Sequence, residues 1–485
     1  MGTRVQTTVT IPAEDAIPRR TNGRLSHLWS EIRTAARGTK HDYTSGSIGR
    51  AIFLLAVPMV MEMMMESVFV VVDIFWVAHL GAEAVAIVGL TESMMVIVYT
   101  IAFGLTIGAS ATVARRIGEK DLDGAANAAV QAIALGFLVS GTLAVCGAIF
   151  APDLLRMMGA SPDVLEQGTR FARVMLGGSV TAFMLFTVNS VFRGAGDASV
   201  AMRVLWRANA FNMILAPMLI VGLGPFPELG VTGAAVATTI GRGTGMLLAL
   251  RQLGVGSGHL VVRREHVRVD PRAMARLARL CASGTFQVFV SSAAWIGLIR
   301  ILSSFGSVAV AGYTIAIRIV IFAILPAFGL SNAAATMVGQ SLGAKDPARA
   351  EKSVWTAAKF NLAFLGALGV VFIAFAPLIV SAFTPEQPVR DVAVSGLRIV
   401  ALGFPMFAFG MVLTQAFNGA GDTWTPTWVY LGVFWLFEIP LAWWLAHEGG
   451  LAYSGVFWSI TLGYAALVAA AGYLFNRGKW KTRTV

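Results

Sequence analysis

Apolar segments long enough to cross a membrane recur along almost the whole chain. The hydrocarbon core of a bilayer is about 30 Å thick, and a helix needs about 20 predominantly apolar residues to cross it. The segments predict an all-α polytopic membrane protein with twelve transmembrane helices, numbered spans 1 to 12 in chain order. They lie near residues 51–78, 84–112, 125–150, 170–192, 201–222, 231–250, 278–303, 309–337, 353–376, 392–416, 426–446 and 452–475.

The amino-acid composition supports a membrane protein. Of the 485 residues, 56% are hydrophobic and 13% are charged, and the mean hydropathy is +0.72. A soluble chain carries about a quarter charged residues, so the charged fraction is about half the usual one. Cys146 and Cys281 both lie in apolar runs, which supports neither a disulfide framework nor a cysteine metal site. The first residues contain no apolar core, so we expect no cleavable signal peptide.

Basic residues in the connecting segments predict the orientation in the membrane. Segments on the side of both termini carry 26 Lys and Arg residues, with Arg193 counted as a loop residue, whereas the other side carries three, Arg156, Arg170 and Arg390. Cytoplasmic loops retain positive charge, and an even number of spans leaves both termini on one side. We therefore expect a multi-pass protein of the cell (inner or plasma) membrane with cytoplasmic termini. The net charge of +11 then reflects these loops, and we expect no nucleic-acid partner.

Two halves of the chain repeat each other. The tetrapeptide GAGD occurs at 194–197 and again at 419–422, and IGEKD (117–121) matches LGAKD (342–346) at the same separation. We call this constant separation, which relates Asp197 to Asp422, the repeat offset. Because each half holds six spans, both halves insert with the same orientation and form parallel repeats around an axis along the membrane normal. We interpret the first GAGD segment as a turn, with Gly194 and Gly196 ending one helix and Asp197 capping the next.

The repeat predicts the domain organisation. Two six-span lobes are joined by a basic linker and flanked by basic tails, of which the first is expected to be disordered. The boundaries are 1–47 for the cytoplasmic tail, 48–250 for the N-lobe (spans 1–6), 251–277 for the cytoplasmic linker, 278–476 for the C-lobe (spans 7–12) and 477–485 for the final tail.

Span 1 carries three acidic residues on one face, Glu62, Glu66 and Asp73, which we call the acidic stripe. At about 100° per residue, they fall within about 40° of each other around the helix axis. An ionisable side chain inside a span costs roughly 2.5–3.5 kcal/mol on insertion scales, so each one requires a reason. The positions related to them by the repeat offset hold Gln287, Ser291 and Leu298, so we expect the N-lobe alone to couple a cation through such a stripe.

Several motifs together resemble the MATE (multidrug and toxic compound extrusion) family over roughly residues 48–476. They are AVPMVMEMMMESVFVVVDIFWVAHLG (56–81), GLGPFPELGVTGAAVATTIGR (222–242), both GAGD loops and both G-x-KD loops. The resemblance implies a V-shaped pair of six-helix lobes that exports organic cations and other amphipathic compounds by alternating access. Such a protein is a transporter and not an enzyme, and it runs on sodium or proton entry. Consistent with this, the chain contains no nucleotide-binding G-x-x-x-x-G-K-[ST] motif.

The resemblance also implies which residues bind the coupling cation. Asp73 matches the aspartate of the family's first helix, and the expected partners come from spans 5 and 6. These partners are Asn209, Asn212, Thr238 and Thr239. A sodium site would use Asp73 and Asn212. Many relatives read N-x-x-x-D-P where this chain reads NMILAP, with Ala216 in place of the aspartate. Because hard cations need several oxygen ligands, this difference favours protons over sodium as the coupling ion.

Spans 7 and 10 contain no acidic residue, which resembles the DinF-like branch more than the NorM-like branch. Candidate residues of the substrate cleft are Met63, Met64, Gln287, Ser291 and Arg300. We expect amphipathic or cationic small molecules as substrates, the lipid bilayer as the surroundings, a monomer, and no cofactor beyond the coupling Na⁺ or H⁺. Glu92 and Glu438 fall outside this pattern, and the sequence assigns them no role.

Other functions stay open at this point. A lipid or polysaccharide-precursor flippase of the same superfamily would favour a strongly cationic cleft for pyrophosphate, but basic residues inside the spans are few. An intramembrane enzyme such as a prenyltransferase would need an Asp-rich metal motif or a catalytic Ser/His or paired Asp site in the spans. A passive channel would not explain acidic residues in one lobe only, and a duplicated scaffold without transport is the remaining alternative.

Overall fold

The computed structural model describes residues 23–38, 41–256 and 258–483, and over these ranges the chain is helical without strands. Within them, ten helices are long and apolar enough to cross a membrane. An eleventh is the pair Gln387–Leu402 and Phe404–Gly419, which is bent by 57°. Span 6 is also a helix, Val231–Val255, but its Thr, Gly and Arg residues make it less apolar. All twelve predicted spans are therefore helical.

The helices extend beyond the apolar segments at most ends. Polar and basic turns continue a helix outside the hydrocarbon, where hydropathy alone cannot detect them. The bounds of spans 1 to 6 are Ile48–Ala78, Ala82–Gly118, Leu122–Met157, Pro162–Gly177 with Ser179–Ala195, Ala198–Val221 and Val231–Val255. Those of spans 7 to 12 are Pro271–Leu302, Ser307–Gly343, Pro347–Ser381, Gln387–Leu402 with Phe404–Gly419, Trp424–His447 and Tyr453–Asn476.

The G-x-KD loops have the same geometry in both halves. Asp121 and Asp346 each accept a hydrogen bond at 2.8 Å from the backbone N–H three residues later, which caps spans 3 and 9. Lys120 and Lys345 precede them with a φ of 59° each. Such left-handed backbone is uncommon for residues other than glycine, so its occurrence at both positions supports the repeat offset.

The two GAGD loops are turns, as predicted. Gly196 and Gly421 adopt left-handed conformations with φ of 89° and 81°. The backbone N–H of Asp197 bonds the carbonyl five residues earlier at 2.8 Å, and that of Asp422 does the same at 2.9 Å. This is the usual way in which a glycine ends a helix. Gly194 is still part of the helix.

The predicted capping role of Asp197 is wrong. Its carboxylate accepts from the backbone N–H of His259 at 2.7 Å and contacts the imidazole Nδ1 of the same residue at 2.7 Å. The chain that follows span 6 returns to this loop and occupies the oxygens that would have capped span 5. In the C-lobe, Asp422 does cap its helix, through Thr425, and lies 3.5 Å from Arg483 in the segment after span 12.

The contacts between the two lobes occur in pairs that the repeat offset relates to each other. A Cβ atom at Gly118 would overlap the carbonyl oxygen of Gln340, and one at Gly343 would overlap that of Arg115. These two contacts exchange under the repeat offset, so a pseudo-two-fold axis passes between the lobes. A second pair of glycines makes equivalent contacts. Gly104 of span 2 meets the backbone of span 7, and Gly329 of span 8 meets the backbone of span 1.

Span 1 is shared between the lobes. Its first half carries Ile52, Leu55 and Met59, which are buried in a core that consists mostly of C-lobe residues from spans 8 to 12. Its far end carries Val77, which packs in an N-lobe core with residues of spans 2, 4, 5 and 6. The acidic stripe begins just after Met59, where span 1 leaves the first core. Glu62 and Glu66 therefore lie between the two cores, and Asp73 lies one turn before Val77.

Part of the tail that is expected to be disordered is structured. Gly23–Arg37 is a helix, while residues 1–22 lie outside the described residues. Arg203 of span 5 donates to the carbonyls of residues 36 and 37 at 3.3 and 2.7 Å. Arg349 of span 9 donates to carbonyls of residues 43, 45 and 46 at 2.7 to 3.1 Å. The segment is therefore attached to both lobes.

We predict that Gly104→Ala destabilises the protein. An alanine inside a helix is otherwise favoured over glycine by up to about 1 kcal/mol, but the new Cβ would lie 2.5 Å from the backbone nitrogen of Thr285. The clash should cost about 1–3 kcal/mol and lower the Tm of the detergent-purified protein. Gly366→Ala is the matched control, since no atom lies within 4 Å of that site. Equal Tm changes in the two variants would contradict the lobe contact.

Candidate functional site

Glu62 forms a buried ion pair with Arg193. Its side chain is 1% exposed, and its Oε1 lies 2.7 Å from the Nη1 of Arg193 at the end of span 4. Asn189, one turn earlier on span 4, donates to the same oxygen at 3.4 Å. Breaking such a pair by removing one partner leaves an uncompensated charge in the interior. Glu62 is therefore neutralised by a fixed guanidinium.

Glu66 has an arginine of its own. Arg242 of span 6 binds both carboxylate oxygens, at 2.8 and 3.3 Å, and Asn209 of span 5 donates to Oε2 at 2.9 Å. The guanidinium also lies over the rings of Phe69 and Phe186, 4.8 and 5.3 Å from their centroids. Cation–π contacts of this kind stabilise a charge removed from water. This cluster ties span 1 to spans 4, 5 and 6.

Asp73 differs from the two glutamates. Among the described residues, none makes a hydrogen bond or an ion pair with its carboxylate, which is partly buried two turns beyond Glu66. Its electrostatic neighbours are Glu92 of span 2 and Arg242, which is already bound by Glu66. Asp73 is thus the member of the acidic stripe without a cation dedicated to it.

The predicted partners from spans 5 and 6 divide into separate groups. Asn209 binds Glu66. Asn212 donates through Nδ2 to the hydroxyl of Thr238 at 3.1 Å. Thr239 packs against Gly178, at the break between the two helices of span 4. The proposed set around Asp73 and Asn212 stays a prediction, because no described contact joins these two side chains.

The candidate cleft residues occupy different surroundings. Gln287 is 4% exposed, whereas Arg300 is exposed near the end of span 7. The Ser291 hydroxyl donates to the carbonyl of Val288 in its own helix at 2.9 Å. Met64 is 52% exposed, and Met63 is partly buried. Their role in binding substrate stays a prediction.

The C-lobe replaces the first ion pair by neutral amides. The repeat offset relates Glu62 to Gln287 and Arg193 to Asn418, and both amides are buried. Both members of the pair are thus uncharged in the C-lobe. This covariation within one chain supports a direct interaction between the two N-lobe residues.

Sequence reasoning missed both arginines. Arg193 counts as a cytoplasmic loop charge in the sequence pattern, but it lies within helix Ser179–Ala195 and is 9% exposed. Arg242 lies inside predicted span 6, where any charged residue requires an explanation. That signal is present in the sequence, whereas the pairing with Glu66 depends on how spans 1 and 6 pack.

Comparison with known proteins decides the family. The MatE family model matches residues 58–218 and 285–444, one match in each lobe. The chain belongs to the MATE family. The probable multidrug resistance protein YoeA of Bacillus subtilis is 26% identical over 447 residues, covering 90% of this chain and 96% of YoeA. The FAD transporter of Shewanella oneidensis is 25% identical over 407 residues, covering 83% of this chain and 89% of that protein.

Solved structures of MATE transporters share the fold. One described as the outward-facing conformation of a multidrug resistance MATE family transporter of the MOP superfamily superposes with a TM-score of 0.85. It is 26% identical, and the match covers 91% of this chain and 98% of that one. The chain is therefore a multi-pass membrane protein of a multidrug efflux transporter family. Its assignment to the DinF-like branch stays a prediction.

The ion pair of Glu62 with Arg193 can be tested through the repeat. Arg193→Asn alone should cost about 3–5 kcal/mol, since it leaves a buried carboxylate without its partner, and should lower the Tm strongly. The double variant Glu62→Gln/Arg193→Asn installs the amides of the C-lobe and should recover most of that loss. Tm values of the two variants in detergent measure the difference. A double variant less stable than the single one would contradict the pairing.

Proposed function

We propose that this MATE protein is a secondary active exporter of amphipathic or cationic small molecules, driven by proton entry at Asp73. The main support is a contrast within the acidic stripe. Glu62 and Glu66 each bind an arginine, whereas Asp73 binds none among the described residues. A carboxylate held by a guanidinium gains little from taking up a proton. A carboxylate inside a membrane that has no such partner is stabilised when a mobile cation binds and neutralises its charge.

A proton suits this site better than sodium. Span 5 carries Ala216 where many relatives carry an aspartate, and the hydroxyl oxygen of Thr238 already accepts a hydrogen bond from the amide nitrogen of Asn212. Among the described residues, no group of three or more His, Cys, Asp or Glu side chains is placed to hold a metal ion. Sodium would therefore depend mainly on amide and hydroxyl oxygens together with Asp73, whereas a proton needs the single carboxylate.

The position of span 1 supports coupling to alternating access. The span packs first against the C-lobe and then against the N-lobe, and Asp73 lies on its N-lobe part. Arg193, the partner of Glu62, also receives a hydrogen bond on its carbonyl from Thr336 of span 8 at 3.1 Å. A change of charge on span 1 therefore acts on a helix in contact with both lobes.

The two buried arginines of the N-lobe provide no site for the phosphate groups of a pyrophosphate-linked lipid, which favours an exporter over a flippase. Arg193 and Arg242 are basic residues buried in the N-lobe, and both are bound by glutamates. They are therefore unavailable to neutralise a phosphate group. From the Lys and Arg distribution we further propose the cell membrane as the location, with both termini cytoplasmic. We propose a monomer as the working unit, since one chain supplies both lobes.

The coupling role of Asp73 predicts the behaviour of Asp73→Asn. In proteoliposomes with an imposed pH gradient, this variant should lose gradient-driven transport of a fluorescent organic cation, because asparagine cannot take up the proton. Glu83→Gln, an exposed acid at the start of span 2, should transport at the wild-type rate. Full transport by Asp73→Asn would refute the assignment. Transport by the wild type that responds to a sodium gradient and ignores the pH gradient would overturn the choice of ion.

A further inference from the structure

Span 11 changes its helix type in the C-lobe next to a buried acid. The span begins as an α-helix, continues as a π-helix over Leu431–Glu438, and returns to an α-helix at Ile439–His447. π-Helical turns are rare and occur often at functional sites. Glu438 ends this segment and is 5% exposed. The acidic residue to which the sequence assigns no role therefore lies inside the C-lobe.

Span 12 approaches the Glu438 carboxylate through a glycine. A Cβ atom at Gly463 would lie 2.7 Å from Oε2 of Glu438, so a larger residue there would displace the carboxylate. Among the described residues, the titratable groups that interact electrostatically with Glu438 are two phenols, Tyr313 of span 8 and Tyr464 of span 12. Spans 8, 11 and 12 of the C-lobe thus contribute residues to this site.

The hydroxyl of Tyr313 is available for a second interaction. The residue is 2% exposed, and its oxygen has no hydrogen-bond partner among the described residues. A buried hydroxyl without a partner is costly. A phenol can donate to a carboxylate and can accept from a carboxylic acid, so this hydroxyl has the chemistry to interact with Glu438 in either protonation state.

Glu438 has no fixed counter-charge in the part of the chain that the structure describes. Among the described residues, no Lys, Arg or His side chain forms an ion pair with it, whereas Glu62 and Glu66 each bind an arginine. An isolated carboxylate cannot stay charged in an apolar interior at low cost. A proton on Glu438 removes this cost.

We propose that Glu438, together with Tyr313 and Tyr464, forms a second proton-binding site of the transporter, in the C-lobe. The proton adds to the carboxylate when the site faces one side of the membrane and leaves it when the site faces the other, and no other bond changes. The inference rests on the proposed proton-driven export. The second site adds one proton per transport cycle to the proton carried by Asp73.

The test measures the number of protons moved for each substrate molecule in proteoliposomes. Glu438→Gln should move one proton fewer than the wild type and should lose one ionisation from the pH dependence of transport. Glu448→Gln, an exposed acid just after span 11, is the matched control and should keep the wild-type ratio. The same ratio and pH dependence in Glu438→Gln as in the wild type would overturn the second site.

Two further variants keep the outcome interpretable. Tyr313→Phe should keep the wild-type ratio but shift the pH dependence of transport, because the carboxylate remains while its hydroxyl partner is removed. If Glu438→Gln fails to fold, carbodiimide labelling of the wild type, mapped by mass spectrometry, detects protonated Glu438 directly; absence of label under transporting conditions would refute the site. Asp73→Asn, run in parallel, separates the two proposals, since its full activity would refute the proposed coupling whatever Glu438 does.

Discussion

The cost of burying charge in a membrane governs the arrangement of the N-lobe. Span 1 brings three carboxylates into the interior, and two of them are neutralised by arginines from other spans of the same lobe. The guanidinium groups of these ion pairs are buried and belong to helices of spans 4 and 6. The remaining carboxylate, Asp73, has no such partner among the described residues, and we propose that a mobile cation neutralises it. The difference between structural and exchangeable charge thus follows from which acids the packing supplies with arginines.

The position of span 1 gives this charge balance its mechanical consequence. One half of the span packs with C-lobe residues, the other packs with the N-lobe, and the ion pairs lie where the packing changes. Glycines related by the repeat let the lobes touch backbone to backbone, as at Gly118 and Gly343. A close contact of this kind either forms or separates as a unit, which suits movement between two discrete arrangements.

Much of the fold could be predicted from the sequence, because long apolar runs and a fixed repeat offset are local and periodic signals. The twelve spans, the paired turns and the family follow from them. The arginine partners of the acidic stripe could not be predicted, since the contacts of Glu62 with Arg193 and of Glu66 with Arg242 join residues 131 and 176 positions apart. Arg193 resembles a loop residue in the sequence because the GAGD turn follows it directly, although its side chain turns back into the lobe.

The central claim is that Asp73 exchanges a proton while the paired glutamates do not. Proton release by the purified transporter on addition of an organic cation, followed with a pH-indicator dye in weakly buffered detergent solution, tests it directly. Asp73→Asn should release one proton fewer than the wild type, and Glu62→Gln/Arg193→Asn should release as many protons as the wild type. Unchanged release by Asp73→Asn, together with reduced release by the double variant, would contradict the account.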